Sequence, residues 1–171
     1  MARVWKFGSD VDTDQIVPGR YAPYMTSEAE LGKYPFIEAR PEFAAQVKPG
    51  DIIAAGENFG CGSSREYAPQ ALKVVGIAAI IAPSFARIFF RNALNLGLPL
   101  VVSKEVSEAL VDGEEVTLDW DKAQIVTSHG IYSLPEPPGF VRLIWEAGGI
   151  VPYFKQHGRF PGEEYHDRSV S

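Results

Sequence analysis

Three continuous apolar runs, "DIIAAG" from Asp51, "IAAIIA" from Ile77 and "LPLVVS" from Leu98, constrain this chain most, because none of them alternates with polar residues. A strand that is apolar on both faces must be covered on both faces, which is the condition of a parallel sheet. Parallel neighbours need crossovers, and the two stretches between the runs, "SSREYAPQALKVVG" and "PSFARIFFRNALNLG", read as helices. The first has Ser63 or Ser64 as its N-cap, Glu66 in its first turn and Gly76 just past its end, and Pro69 fits only near that first turn. The second starts at Pro83 and Ser84 and stops at Gly97. The core is therefore α/β, built on parallel βαβ units.

Around this core, "ARVWKFG" reads as a strand ending at Gly8, and Thr26 to Phe43 carries only weak helical signals. After it, "VSEALVDG" reads as a short helix, and "EVTLDWD", "QIVTSHG" and "IYSL" read as an antiparallel meander forming a second, smaller sheet. "PPGFVRLIWEAGG" is a terminal helix, "IVPYFKQHG" a coda, and residues from about 159 to 171 a flexible polar tail. With 171 residues, one domain spanning 1–171 is expected.

The net charge of −6, from 22 acidic and 16 basic residues, argues against a nucleic-acid or anionic-membrane surface. The longest apolar stretch, "VVGIAAIIAPSF", is too short for a membrane span and is broken by Pro83. The start, "MARVWKFGSD", lacks the apolar run of a signal peptide, so a cytoplasmic protein is expected. Cys61 is the only cysteine and forms no intramolecular disulfide. With His129, His157 and His166 scattered, no metal or cluster is expected to be bound by this chain, and any metal the chemistry needs must come with another chain.

The segment "GENFGCGSSREYAPQAL" from Gly56 carries the chemistry. Glycines that leave backbone N–H groups facing outward at a helix start make an anion site, Arg65 adds a planar fork for a carboxylate, and Ser63 and Ser64 add hydroxyls. The same residues would equally serve a plain turn, with Gly60 and Gly62 shaping it, a serine capping and Arg65 paired to a neighbouring acid. Three other motifs fail on spacing. Arg65 stands where a dinucleotide fingerprint needs its third glycine, no Gly-Lys-Ser or Gly-Lys-Thr marks a P-loop, and neither serine is flanked as in a nucleophile elbow. Cys61 reads as a small buried cysteine. Arg87 and Arg91, four apart on one helix, read as an exposed face outside the site.

Together "ENFGCGSSREYAP", "DVDTDQIVPGRY" and "SFARIFFRNALNLG" resemble the small subunits of the aconitase family, in the branch that acts on isopropylmalate or homoaconitate. The resemblance implies a swivelling β/β/α domain that closes over an active site whose 4Fe–4S cluster belongs to a separate large subunit. It puts Ser63 in the role of the base that removes a proton beside a carboxylate. Ser64 and Arg65 then hold a substrate carboxylate, Asp14 is an active-site aspartate and Thr13 orients the site. A serine hydroxyl is a weak base in water, so this role requires the Gly60 and Gly62 N–H groups and the helix dipole to stabilise its alkoxide. Arg20, Tyr21, Ala22, Pro23 and Tyr24 form the loop that faces the variable end of the substrate. Ala22, Pro23 and Tyr24 suit an isopropyl group better than a distal carboxylate. "RYAPYM" also resembles homoaconitase small subunits. Isopropylmalate dehydration and rehydration with a cluster-bearing partner is thus the expected activity, with the homoaconitate reaction as its alternative. A non-catalytic acid-binding module and a purely structural subunit stand as the readings from other classes.

Overall fold

A computed structural model describes residues 1–161. Residues 162–171, which hold His166 and most of the expected tail, lie outside the described residues. In chain order the elements are β1 (Ala2–Lys6), α1 (Thr13–Ile16), a 3-10 turn (Gly19–Tyr24), α2 (Glu28–Leu31), α3 (Glu42–Gln46), β2 (Ile52–Ala54), α4 (Tyr67–Val74) and β3 (Ala79–Ala82). There follow α5 (Arg87–Leu96), β4 (Leu100–Val102), α6 (Lys104–Ala109), β5 (Glu115–Asp119), β6 (Gln124–Thr127), β7 (Gly130–Ser133), α7 (Gly139–Ala147) and α8 (Ile150–His157). The expected coda is thus a helix, with Pro152 in its first turn, where no intrahelical N–H is lost.

The three apolar runs are β2, β3 and β4, which pair in parallel with one another and, through β2, with β1. Their side chains divide with the strand period of two. Trp5, Ile53, Ile80 and Leu100 enter one apolar cluster with Ala68, Ala71 and Leu72 of α4 and Phe89 and Ala93 of α5. Val4, Ile52, Ala54, Ile81 and Val101 enter another with Val106 and Leu110, and with Val116 and Ile125 of the meander. Helices therefore cover one face and the antiparallel arm with α6 the other, which is the β/β/α layering. The meander does not form a detached second sheet. Ala2 and Arg3 of β1 pair antiparallel with Val116 and Glu115, so one sheet of seven strands runs β4-β3-β2-β1-β5-β6-β7.

Asp51 anchors the junction of β1 and β2. Its buried carboxylate accepts hydrogen bonds from the Arg3 N–H (3.1 Å), the Trp5 indole (3.0 Å) and the Lys48 N–H (2.9 Å). All the donors come from segments that must meet for β1 to lie beside β2, so this one polar group fixes the pairing without leaving a lone buried charge.

At the C-terminal ends of β1, β2 and β3 the connecting loops are laced together. Gly56 N–H donates to Gly8 O, Asp10 N–H to Glu57 O, Gly60 N–H to Val11 O and Thr13 N–H to Cys61 O, at 2.7–3.0 Å. Phe59 N–H donates to Ser84 O (3.2 Å) and Ala86 N–H to Phe59 O (2.9 Å). The three sequence motifs are thereby held together outside the carboxyl ends of parallel strands, where α/β sheets commonly bind ligands.

Candidate active site

The site forms where α1, the loop from Gly60 to Glu66 and the start of α5 converge. Asp12 caps α1, its carboxylate accepting from the Gln15 N–H at 2.7 Å and the Gln15 side chain accepting from the Asp12 N–H. This capping box fixes Thr13 in the first turn, buried, with its hydroxyl donating to Ser63 O at 3.0 Å. The Arg65 N–H also donates to Ser63 O, at 2.9 Å. With its carbonyl held from both sides, Ser63 stays outside the helix. α4 consequently begins at Tyr67 with Glu66 in the cap position, and neither Ser63 nor Ser64 caps it.

That overturns part of the electrostatic expectation. The Gly60 N–H donates to Val11 O at 2.7 Å and cannot stabilise an alkoxide, and the end of the helix dipole lies beyond the serines. Gly60 is required for space instead. At φ +85°, a Cβ there would stand 2.2 Å from Phe89 Cγ. Among the described residues no hydrogen bond takes the amide N–H of Gly62, Ser63 or Ser64, so that run keeps its donors, with Gly62 at φ +94°. The second crossover helix likewise starts later than expected, at Arg87. Pro83 and Ser84 lie before it, and the Ser84 hydroxyl accepts from the Asn58 N–H at 2.8 Å.

Arg65 and Asp14 meet as an ion pair at 2.8 Å. Arg65 Nη1 also donates to the Tyr67 hydroxyl at 2.7 Å, and the guanidinium packs over Gly19, where a Cβ would collide with it. Both contacts use Nη1. No hydrogen bond among the described residues takes Nε or Nη2, which leaves that edge of the fork for an acid.

An open cleft of about 310 Å³ brings together Thr13, Gly60, Gly62, Ser63, Ser64 and Arg65 with Ala86, Arg87, Ile88, Phe89 and Asn92. The start of α5 is the part of the site that sequence reasoning missed. Arg87 and Arg91 are both exposed, as their spacing suggests, and of the two Arg87 lines the cleft. Tyr67 was missed as well, and no spacing rule relates it to Arg65.

The aconitase C-terminal domain family matches residues 10–105, a span that contains every residue of this cleft. The chain belongs to that family. It is 53% identical to the 3-isopropylmalate dehydratase small subunit 1 of Deinococcus radiodurans over 164 residues, covering 96% of this chain and 92% of that one. It is 52% identical to the homoaconitase small subunit of Thermus thermophilus, covering 95% of this chain and 100% of that one. The crystal structure of 3-isopropylmalate dehydratase from Methanocaldococcus jannaschii superposes with a TM-score of 0.82 at 42% identity, over 98% of this chain and 97% of the other.

Within this aconitase-type domain, the Gly19–Tyr24 turn leaves the cleft at Gly19 and carries Ala22, Pro23 and Tyr24 exposed. None of Arg20 to Tyr24 lines the cleft. Arg20 pairs with Glu38 and donates to the Tyr21 hydroxyl at 3.1 Å, and Tyr21 stacks on Tyr34 with ring centroids 5.0 Å apart. The turn is thus held as a unit beside the site. Cys61 is half-buried, and burial, with the nearby Asp12 and Asp10 carboxylates, pushes its thiol above the ordinary range. It keeps its proton at neutral pH, but it is not the buried cysteine that its size suggests. Among the described residues no three His, Cys, Asp or Glu side chains are grouped to hold a metal ion, and no helix is long and apolar enough to cross a membrane.

Proposed function

We propose that this chain is the small subunit of a heteromeric hydro-lyase that interconverts 2-isopropylmalate and 3-isopropylmalate by dehydration and rehydration in leucine biosynthesis, acting in the cytoplasm as one swivelling domain. The observation that carries this is likeness at about half of all positions to 3-isopropylmalate dehydratase small subunits, running through a cleft that holds two serines and a carboxylate-binding fork. A large subunit bearing the 4Fe–4S cluster completes the enzyme, and the cluster supplies Lewis acidity at the departing hydroxyl.

This chain's part is a proton transfer and its support. Arg65 takes the substrate carboxylate on its Nε–Nη2 edge, drawing charge from the adjacent carbon and making its proton more acidic. Ser63 Oγ accepts that proton, and returns one to the neighbouring carbon when the hydroxyl of water adds at the carbon that lost it. The unclaimed amides of Gly62, Ser63 and Ser64 stabilise the alkoxide charge that this oxygen carries before it takes the proton and again after it gives one back. Asp14 and Tyr67 fix Arg65 through Nη1, and Thr13 fixes Ser63 through its carbonyl. Such preorganisation makes the proton transfer possible only in a closed, water-poor site.

Homoaconitate is the second reading, favoured by 52% identity to a homoaconitase small subunit along that protein's entire length. Co-expression with a cluster-bearing large subunit, followed by assays on isopropylmalate, homoaconitate and citrate, separates the two. In the better reaction, Ser63→Ala lowers kcat by about 10²-fold or more while assembly and stability stay unchanged. Near-normal turnover would show that Ser63 only shapes the loop, and acid binding by the isolated chain with no activity in any complex would favour a binding module.

A further inference from the structure

The cleft around Ser63 contains two arginines, Arg65 and Arg87, and no carboxylate side chain, in a chain that carries 22 acidic residues against 16 basic ones. Arg65 is partly neutralised by Asp14 at its back. Arg87 has no such partner, since no ion pair or hydrogen bond from its guanidinium occurs among the described residues. Asn92, also in the lining and half-buried, has no hydrogen bond from its side-chain amide. Helix stability does not account for the charge, because a cation at the first residue of α5 stands at the positive end of the helix dipole. Two arginines in one cleft with no carboxylate in its lining suit an anion bound between them.

The acid interconverted under the reading above has two carboxylates on adjacent carbons, one beside the proton that leaves and one beside the hydroxyl. Arg65, two residues on from Ser63 in the chain, is placed for the first. We infer that Arg87, assisted by the Asn92 amide, binds the second carboxylate of the substrate, so that the molecule is held at both ends with its reacting carbons at Ser63. The inference rests on the proposed function and adds to it a binding residue from the start of α5. It also explains why the loop before α5 is tied to the Ser63 loop through Phe59 and Ala86, since the two arginines must keep a fixed separation to read a dicarboxylate.

The test uses the assembled enzyme with its large subunit, comparing wild type with Arg87→Met, Arg87→Lys and Asn92→Ala. Arg87→Met is expected to raise KM about 10- to 100-fold, the scale of a lost charge-assisted contact, with a much smaller change in kcat. Arg87→Lys keeps the charge without the fork and falls between, and Asn92→Ala raises KM severalfold. Inhibition by 2-isopropylsuccinate, which keeps both carboxylates, should weaken in parallel, whereas inhibition by isovalerate, which has one, should not. Unchanged KM in Arg87→Met, or equal weakening of both inhibitors, would overturn the assignment. Weakened binding of the large subunit at unchanged KM would overturn it too, placing Arg87 in the subunit interface. Wild-type enzyme inactive on every acid tested would instead strike the proposed function itself.

Discussion

Gly60 and Gly62 flank Cys61 in one loop with almost the same backbone angle, φ +85° and +94°, yet the structure gives them different reasons to be glycine. An alanine at either position adopts a conformation disfavoured for side-chain-bearing residues, at about 1–2 kcal/mol. At Gly62 that is nearly the whole cost, because the added Cβ meets nothing closer than Asp12 Cβ and Thr13 Oγ1, both at 3.5 Å. At Gly60 it would stand 2.2–2.6 Å from Phe89 Cγ, Cβ and Cδ2. Phe89 cannot turn aside, since it is 3% exposed and packs edge-on against Phe59 with centroids 5.4 Å apart. Overpacking of this kind adds about 1–3 kcal/mol. Gly60→Ala should therefore lose about 2–5 kcal/mol and Gly62→Ala about 1–2 kcal/mol. Urea unfolding of both variants beside wild type reads the difference as a shift in midpoint at constant m-value. Gly60→Ala no less stable than Gly62→Ala would refute the argument from Phe89.

The other expectations are more compact. Asp51→Ala strips a buried acceptor from Arg3, Trp5 and Lys48 and should destabilise by about 3–5 kcal/mol, measured by the same urea titration; a loss below about 1 kcal/mol would mean that water replaces the carboxylate. Cys61, with its thiol pushed up by burial, should alkylate with iodoacetamide far more slowly at pH 8 than a free thiol and speed up only as pH rises beyond the ordinary thiol range; rapid reaction at neutral pH would mark it as a reactive thiolate. Pro23→Arg, on the exposed turn beside Arg65, should move the ratio of kcat/KM for homoaconitate over isopropylmalate upward, by at most about a few kcal/mol in equivalent terms, and no change would place selectivity in the large subunit.

What the sequence made legible was whatever short-range patterns encode. Continuous apolar runs gave β2, β3 and β4, and Gly76 and Gly97 stand where the helices stop, each at positive φ. What it hid depends on residues far apart in the chain. α4 starts at Tyr67 rather than after a serine cap, and the Ser63 carbonyl accepts from the Thr13 hydroxyl 50 positions away, a contact that no local pattern reveals. The meander looked like a separate sheet because nothing in its alternation reveals that β1 presents a free edge to β5. Arg87 was set aside for the same reason. Four-residue spacing identifies Arg87 and Arg91 as neighbours on a helix, but it does not reveal that the start of this helix is laced through Phe59 to the Ser63 loop, with Arg87 in the lining of the same cleft.

The Arg65–Asp14 pair bears on how this cleft can bind an acid before a partner closes over it. Asp14 is 60% exposed, so the pair contributes at most about 1 kcal/mol to stability and does not seal the arginine away. Its effect is geometric. With Nη1 tied to Asp14 and the Tyr67 hydroxyl and the guanidinium plane resting on Gly19, Arg65 has little rotamer freedom left to lose when a carboxylate meets its other edge. A larger residue at Gly19 would displace the guanidinium, and removal of Asp14 would free it to swing into water, so both should weaken substrate binding without touching the proton acceptor. The backbone that carries Arg87 is set in advance too, because Phe59 ties the loop before α5 to the Ser63 loop, so a dicarboxylate meets two cations whose spacing is fixed before it binds.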